Sequence, residues 1–170
     1  MTAFSTSSDR RSGIAGLVRS IIGLFERIPY WALAFLARFS IAAVFWKSGQ
    51  TKVQGFALDF IEGRYELGIP RFADSTIDLF RDEYKLPLVS PEIAAFAGTV
   101  AEHVFPVLIL VGLATRFSSL ALLIMTLTIE IFVYPDAYPT HGVWAAVLLL
   151  LISKGPGALS LDHIIGRLWR

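Results

Sequence analysis

The sequence predicts an all-α membrane protein, built as a bundle of four transmembrane helices. Hydrophobic residues make up 55% of the 170-residue chain and charged residues only 17%. Soluble domains carry about 25% charged residues and lack long uncharged stretches. The mean hydropathy is +0.61. The charges are also clustered, which leaves four apolar stretches of about the length that a bilayer crossing requires.

The remaining composition excludes several function classes. The chain has no cysteine, so disulfides, thiol redox chemistry, iron–sulfur clusters and thiolate metal sites are excluded. Its net charge is +1, and no strong positive field predicts a nucleic-acid partner. The sequence contains no Rossmann or phosphate-loop pattern. The lipid bilayer is therefore the first partner that the sequence predicts.

An amphipathic helix is predicted before the first span. From Gly13 to Ile28, apolar residues recur at i, i+3, i+4 and i+7, while Arg19 and Glu26 fall elsewhere on the helical wheel. The segment is too charged to cross a membrane, so we interpret it as a helix lying in the membrane interface. A soluble amphipathic helix packed on a partner subunit is the alternative. Residues 1–12 are polar and predict a frayed tail.

The chain is predicted to form one membrane domain, residues 1–170. Its segments are a tail and interfacial helix at 1–28, a first span at 29–54, an outer segment at 55–91, a second span at 92–115, a third span at 117–134, a fourth span at 138–154, and a tail at 155–170. Within the outer segment, two apolar runs around Glu62 and Gly63 predict a short β-hairpin. The stretch Ser75–Asp78 resembles a capping box and predicts a short helix that ends before Pro87.

The basic residues predict the orientation of the spans. Four spans place both termini on one side of the membrane, and that side carries Arg10, Arg11, Arg19, Arg27, Arg116, Lys154, Arg167 and Arg170. The turn around Pro135 has no Lys or Arg, and segment 55–91 contains more acidic than basic residues. The positive-inside rule therefore predicts a protein of the bacterial inner membrane with cytoplasmic termini and a periplasmic (extracellular) segment 55–91.

Ionisable residues inside the spans locate the polar interior. With a rise of about 1.5 Å per residue, Arg38 lies roughly 13 Å from the inner face and Glu102 roughly 13 Å from the outer face. These heights nearly meet in a core of about 30 Å. An unpaired charge in hydrocarbon costs roughly 2.5 kcal/mol or more, so we predict an Arg38–Glu102 pair. Glu130 and His141 lie higher, and the four residues together are predicted to line a polar cavity in the outer half of the bundle.

Two interpretations of this polar site remain open. The pair of Arg38 and Glu102 either fixes helix packing or marks a ligand or proton site. His103 and Lys52 are weaker candidates, because a lone histidine is more often a satisfied packing residue than a metal ligand. No metal site is predicted. Haem ligation by two histidines is disfavoured, since only His103 lies deep in a span.

Glu130 is the stronger functional candidate of the two buried glutamates. It lies near the outer end of its span, where packing alone gives little reason to bury a carboxylate. The short turn at Pro135 makes the third and fourth spans neighbours. We therefore hypothesise an outward-facing pocket lined by Glu130, His141 and Trp144 that accepts a quinone headgroup or the side chain of a partner.

Several stretches of the chain carry a family resemblance. They are LARFSIAAVFWKSGQTK at 36–52, LFRDEYKLPLVSPEIAA at 79–95, AEHVFPVLILVGLATR at 101–116, YPDAYPTHGVWAAVLLLL at 134–151 and KGPGALSLDH at 154–163. In combination they resemble the DoxX family of small four-helix integral membrane proteins. The resemblance implies an inner-membrane location, and some relatives are tied to quinone-linked oxidoreductase complexes while others sit beside stress or metal-handling genes. Arg38, Lys52, Glu102 and His141 occupy motif positions without an established catalytic role.

The resemblance favours an accessory subunit of a membrane redox system, with protein partners in such a complex or in a homo-oligomer. A quinone-reactive oxidoreductase subunit is the main alternative, and a small transporter or channel is the third. An enzyme of this kind needs an electron carrier, and the chain has no evident cofactor motif, so catalytic activity stays open. Quinone is the cofactor that the resemblance implies. Transporters usually show repeats or broken helices, whereas Pro106 is the only proline well inside a span.

Overall fold

The computed structural model describes residues 7–59 and 63–169 of the chain, with the side chains of residues 7–12 left out. Its elements are α1 (Ser7–Phe25), α2 (Tyr30–Gln50), β1 (Val53–Asp59), β2 (Arg64–Phe72), α3 (Thr76–Asp78, continued by a π-helix over Leu79–Tyr84), α4 (Pro91–Val111), α5 (Thr115–Phe132), a 3₁₀ turn (Pro135–Ala137), α6 (Tyr138–Lys154) and α7 (Leu161–Leu168). The fold is therefore mainly helical, as the hydropathy predicts.

Four helices form the bundle. Each of α2, α4, α5 and α6 packs against the next, and α6 packs back against α2. Their inward faces meet in a core that consists of Ile41, Ala42, Phe45, Ile109, Leu122, Leu123, Leu148 and Leu151. Large apolar side chains remain exposed on the outward faces, for example Leu36 and Ile124. A bundle with apolar residues both inside and outside is suited to lipid.

The length and apolar composition of these helices are those of membrane-spanning helices. Within the described residues, α2, α4 and α5 are long and apolar enough to cross a bilayer. The fourth predicted span corresponds to α6, which is apolar but has only 17 residues. At a rise of about 1.5 Å per residue α6 is roughly 25 Å long, which is shorter than the hydrocarbon core. Its crossing of the membrane stays a prediction.

The outer segment packs on the ends of α2 and α4. Strands β1 and β2 form the antiparallel hairpin that the sequence predicts, with Phe56 opposite Leu67. The hairpin is fastened to α2 because Trp46 Nε1 donates to the Leu58 carbonyl at 2.9 Å and Gln50 Oε1 accepts from the Leu58 amide at 2.8 Å. The predicted short helix ends at Tyr84, before Pro87, but no cap hydrogen bond is made by Ser75.

The first turns of α4 lie beside this outer segment. Phe80 is buried against Ala94 and Ala95, and a side chain at Gly98 would meet the Phe80 ring at 3.1 Å. Helix α4 begins sharply because Ser90 accepts a hydrogen bond from the Ile93 amide and Pro91 occupies the first turn. Helix α4 therefore reaches past the outer end of α2 before it enters the bundle.

Helix α1 begins and ends earlier than predicted. It runs over Ser7–Phe25, whereas the apolar periodicity predicts Gly13 to Ile28. The predicted frayed tail falls partly on residues 1–6, which lie outside the described residues. Apolar side chains of α1 are uncovered by the rest of the chain: Leu17 is 62% exposed and Phe25 is 63% exposed. The position of α1 in a membrane interface stays a prediction.

Candidate functional site

The carboxylate of Glu102 pairs with Lys52. Lys52 Nζ lies 2.7 Å from Glu102 Oε2, and both side chains are almost fully buried. Ser48 Oγ donates to Glu102 Oε1 at 2.9 Å and accepts from Lys52 Nζ at 3.0 Å. Lys52 also donates to the Ser48 carbonyl at 3.2 Å. We call Ser48, Lys52 and Glu102 the outer triad.

The predicted pair of Arg38 and Glu102 is therefore wrong. Arg38 Nη1 donates to the carbonyl oxygens of Leu110 at 2.9 Å and Ile109 at 3.4 Å, and its Nη2 donates to the Leu159 carbonyl. Leu110 lies eight residues beyond Glu102, which places Arg38 about 12 Å deeper along α4. Arg38 was also predicted to line a polar cavity together with Glu102, Glu130 and His141. That prediction is wrong for Arg38.

Arg38 instead caps the inner end of α4. The last carbonyls of a helix have no intrahelical partner, and a guanidinium offers several donors in one plane. Gly112 ends α4 with a φ of +74°, and a side chain there would lie 2.5 Å from Arg38 Nη1. The position thus requires glycine both for the left-handed backbone and for the close approach of Arg38.

Asp162 completes this inner end and is a residue that the sequence reasoning missed. Its Oδ1 accepts from the Ala114 amide at 2.7 Å and its Oδ2 from the Thr115 amide at 2.9 Å. These bonds satisfy the first amides of α5. Ser160 caps α7 by accepting from the His163 amide at 3.2 Å. The KGPGALSLDH stretch contained this signal, since its Ser and Asp are typical capping residues.

Two tyrosines, Tyr84 and Tyr134, pack against each other beside the outer segment. The Tyr84 ring packs on Phe80 with centroids 4.6 Å apart and lies 6.0 Å from the Tyr134 ring. Burial, together with the nearby carboxylates of Glu102 and Glu83, raises the pKa of Tyr84 to about 12. The Tyr134 hydroxyl donates to Glu83, and burial followed by this hydrogen bond raises the pKa of Tyr134. Both phenols are therefore neutral at physiological pH.

His103 is a satisfied packing residue, as one of the sequence interpretations holds. Its Nδ1 donates to the Thr99 carbonyl at 2.8 Å, so its Nε2 is left to accept from Gln50 Nε2 at 3.0 Å. The Trp46 ring meets the imidazole edge-on, with centroids 5.2 Å apart. A side chain at Gly49 would lie 2.9 Å from His103 Cε1. These contacts use both ring nitrogens and connect α4 to α2 and, through Gln50, to the hairpin.

Glu130 and His141 form a second, partly buried pair, which joins α5 to α6. His141 Nδ1 lies 2.6 Å from Glu130 Oε2, with side-chain exposures of 9% and 18%. The Trp144 ring lies 4.9 Å from the imidazole, and it also contacts Phe45 of α2 at 5.6 Å. The structure therefore brings together the three residues of the hypothesised outer pocket.

A groove and a cavity adjoin each other between α2, α4 and the hairpin. The apolar groove has a volume of about 400 Å³ and is lined by Phe39, Ala42, Ala43, Trp46, Lys47, Gln50, Leu58, Asp59, Pro106, Val107 and Leu110. The polar cavity has a volume of about 270 Å³, and Lys47, Gln50 and Asp59 line it as well. Pro106 lacks the amide that would bond the Glu102 carbonyl, so one intrahelical hydrogen bond is missing beside the groove. The sequence shows Pro106 inside a span, but it does not predict this groove.

Comparison with known proteins identifies the family. The DoxX family model matches residues 33–135, which is more than half of the chain. A protein of Haemophilus influenzae described as uncharacterized is 29% identical over 99 residues, covering 52% of this chain and 66% of that protein. The chain thus spans just under two thirds of the length of this relative. No solved structure matches the chain. The resemblance seen in the sequence is confirmed, and the chain belongs to the DoxX family.

Proposed function

We propose that this DoxX-family membrane protein crosses the bacterial inner membrane four times, with both termini in the cytoplasm, and serves as an accessory subunit of a membrane redox system. Contacts at one end of the bundle support the topology. Tyr30 donates to the Gly155 carbonyl at 2.7 Å, and Asp162 caps α5. The start of α2, the α4–α5 turn and the C-terminal tail therefore share one end, which also carries Arg116 and Lys154. The positive-inside rule favours the cytoplasm for this end.

Exposed apolar side chains on the hairpin are the observation that carries the accessory role. Leu67 is 84% exposed and Ile69 is 88% exposed on β2, and Leu88, in the loop before α4, is fully exposed. These residues lie outside the long apolar helices of the bundle. Large apolar side chains that stay exposed outside the bundle commonly mark a protein-binding surface. The redox part of the proposal is supported by the family resemblance, since some relatives are tied to quinone-linked oxidoreductase complexes.

The experiment is a purification of the tagged chain from membranes in mild detergent. Co-purifying proteins are identified by mass spectrometry, and absorption spectra test for haem, flavin or quinone in the preparation. We expect a redox protein to be retained by the wild type and lost in the Leu67→Ser, Ile69→Ser double variant. Arg71→Ser, on the same strand, is the matched control and should retain it. Co-purification of proteins without any redox cofactor would contradict the proposal.

A quinone-reactive subunit is the second candidate, and the Glu130–His141 pair favours it. Because Nδ1 of His141 is engaged by the carboxylate, its Nε2 is the ring nitrogen available to a ligand. An imidazole whose Nδ1–H donates to this carboxylate presents Nε2 as an acceptor, which can accept a hydrogen bond from a quinol hydroxyl. Glu130→Gln and His141→Ala should then reduce the quinone that co-purifies. Full retention of quinone in two folded variants would exclude this pocket.

A further inference from the structure

Three hydroxyl groups lie buried near the inner end of α5. Thr115, Ser118 and Ser119 are each 0% exposed. Within the part of the chain that the structure describes, none of their hydroxyl oxygens has a hydrogen-bonding partner. We call these three residues the hydroxyl cluster. Burial of a hydroxyl is unfavourable unless a new hydrogen bond replaces those it made to solvent, so each member of the cluster requires a partner.

Two other hydroxyls of the same helix find their partners in its backbone. Thr126 donates to the Leu122 carbonyl at 2.8 Å, and Thr128 donates to the Ile124 carbonyl at 2.9 Å. A bond to the carbonyl one turn earlier is a common solution for a serine or threonine within a helix. Thr115 is the first residue of α5, so no carbonyl of this helix lies one turn before it. The hydroxyl cluster therefore lacks the partner that the later hydroxyls of α5 have.

The spacing of the cluster suits a single small molecule. Residues three and four apart on a helix have Cβ atoms about 5–6 Å apart, so Thr115 neighbours both serines. Two hydroxyl oxygens that each lie about 2.8 Å from one water oxygen are up to about 5.5 Å apart. A buried water typically makes about three hydrogen bonds, and the cluster offers three hydroxyls. Leu122, which is 0% exposed, bounds the cluster one turn further along α5.

We propose that the hydroxyl cluster binds one buried water molecule, which exchanges hydrogen bonds with all three hydroxyls. A neutral ligand fits because the hydroxyls carry no net charge. The carboxylate of Asp162 already accepts with both oxygens from the Ala114 and Thr115 amides. No member of the cluster lines the apolar groove or the polar cavity, so the water site is separate from both. The inference goes beyond the accessory role and does not depend on it.

Water–protein nuclear Overhauser spectra of the full chain in detergent test the proposal. In the wild type we expect a cross-peak between water and the methyl protons of Thr115. The double variant Ser118→Ala, Ser119→Ala removes two of the three partners but keeps the Thr115 hydroxyl, and it should lose this cross-peak. Thr126→Val removes a hydroxyl that is already bonded to the Leu122 carbonyl, and it should keep the cross-peak. A cross-peak that persists in the folded double variant would come from exchange of the Thr115 hydroxyl itself. That result would overturn the proposal, as would a wild type without the cross-peak.

The sign of the stability change provides the second arm. Thr115→Val and Ser118→Ala should each lower the melting temperature, because each removes one hydrogen bond of the water and leaves the remaining hydroxyls with a poorer partner. The opposite sign is expected of a hydroxyl that has no partner at all, since its removal then relieves an uncompensated burial. Size-exclusion profiles and helical circular dichroism identify variants that fold. A higher melting temperature in both folded variants would show that no water is bound by the cluster.

Discussion

Lys52 Nζ lies 2.7 Å from Glu102 Oε2, at the point where the outer end of α2 meets α4. Ser48 accepts from the amine and donates to the carboxylate, so both charges have hydrogen-bonding partners as well as each other. Removing either partner leaves the other charge buried and uncompensated, which is the most costly change that a buried ion pair can suffer. The outer triad therefore holds α2 and α4 at one relative height.

Single and double substitutions of this pair should show strong coupling. Lys52→Met and Glu102→Met should each lower the free energy of unfolding by about 3–5 kcal/mol, because the remaining charge stays buried. The double variant should recover much of that loss, since two apolar side chains then fill the space. Thermal unfolding in detergent measures all three. Equal stability of the three variants would contradict the pairing.

Arg38 and Glu102 should show no such coupling. They act about 12 Å apart along α4 and share no partner, and effects at such distances usually add within about 0.5 kcal/mol. A double-mutant cycle with Arg38→Met and Glu102→Met should therefore be additive. Arg38→Met alone should cost about 1–3 kcal/mol, because the carbonyl oxygens of Leu110 and Leu159 lose this charged donor. Arg38→Lys, which offers a single amine, should restore only part of this stability.

Asp162 should contribute as a helix cap. It accepts from the Ala114 and Thr115 amides, and Asp162→Ala leaves both without a protein partner. We expect a loss of about 0.5–2 kcal/mol in unfolding free energy, the usual cost of removing a cap. Asp162→Asn keeps an oxygen acceptor and should lose less. Asp136→Ala, at an exposed acidic residue of the 3₁₀ turn, is the control and should be nearly neutral.

The sequence predicted the helices better than their relative heights. Hydropathy placed α2, α4, α5 and α6 within a few residues of their observed ends, because an apolar stretch can be recognised without its neighbours. The error lay in treating the residues between Ile93 and Glu102 as depth in hydrocarbon. In the structure these turns pack on Phe80 of the outer segment, so Glu102 lies near the outer rim, level with Ser48. Such an offset depends on tertiary packing and leaves no signal in either helix alone.

The roles of the charged residues were predictable only where the partner is local. Glu130 and His141 are joined by one short turn, and the structure brings them together as that turn implies. Arg38 reaches the carbonyl of Leu159, which is 121 residues away in the chain. Backbone carbonyls at a helix end occur in every helix, so the sequence gives no sign of which end a buried arginine will cap.

Alkaline pH should destabilise the protein through Tyr84. Its pKa is about 12 in the folded state against an ordinary value of 10.0, because burial and nearby carboxylates disfavour the phenolate. The folded state therefore holds its proton more tightly, so the stabilisation is present below pH 10 and is lost as pH rises from 10 to about 12. Chemical unfolding followed across this range measures the effect. Tyr84→Phe should lose less stability than the wild type, whereas Tyr138→Phe, at an exposed position, should follow the wild-type curve.

Introduced cysteines should test the proposed topology. The chain has no native cysteine, so each introduced thiol reports one position. Ser75 is exposed in the outer segment and Ala158 is exposed beside the inner end of the bundle, whereas Ser160 is buried as the cap of α7 and unsuitable for labelling. In intact spheroplasts, a membrane-impermeant maleimide should label Ser75→Cys, and it should label Ala158→Cys only after the membrane is permeabilised. Both positions have similar access to solvent, so a difference between them reports the membrane and not burial. Labelling of Ala158→Cys in intact spheroplasts, with protection of Ser75→Cys, would reverse the orientation, and labelling of both would mean that the number of spans between them is even.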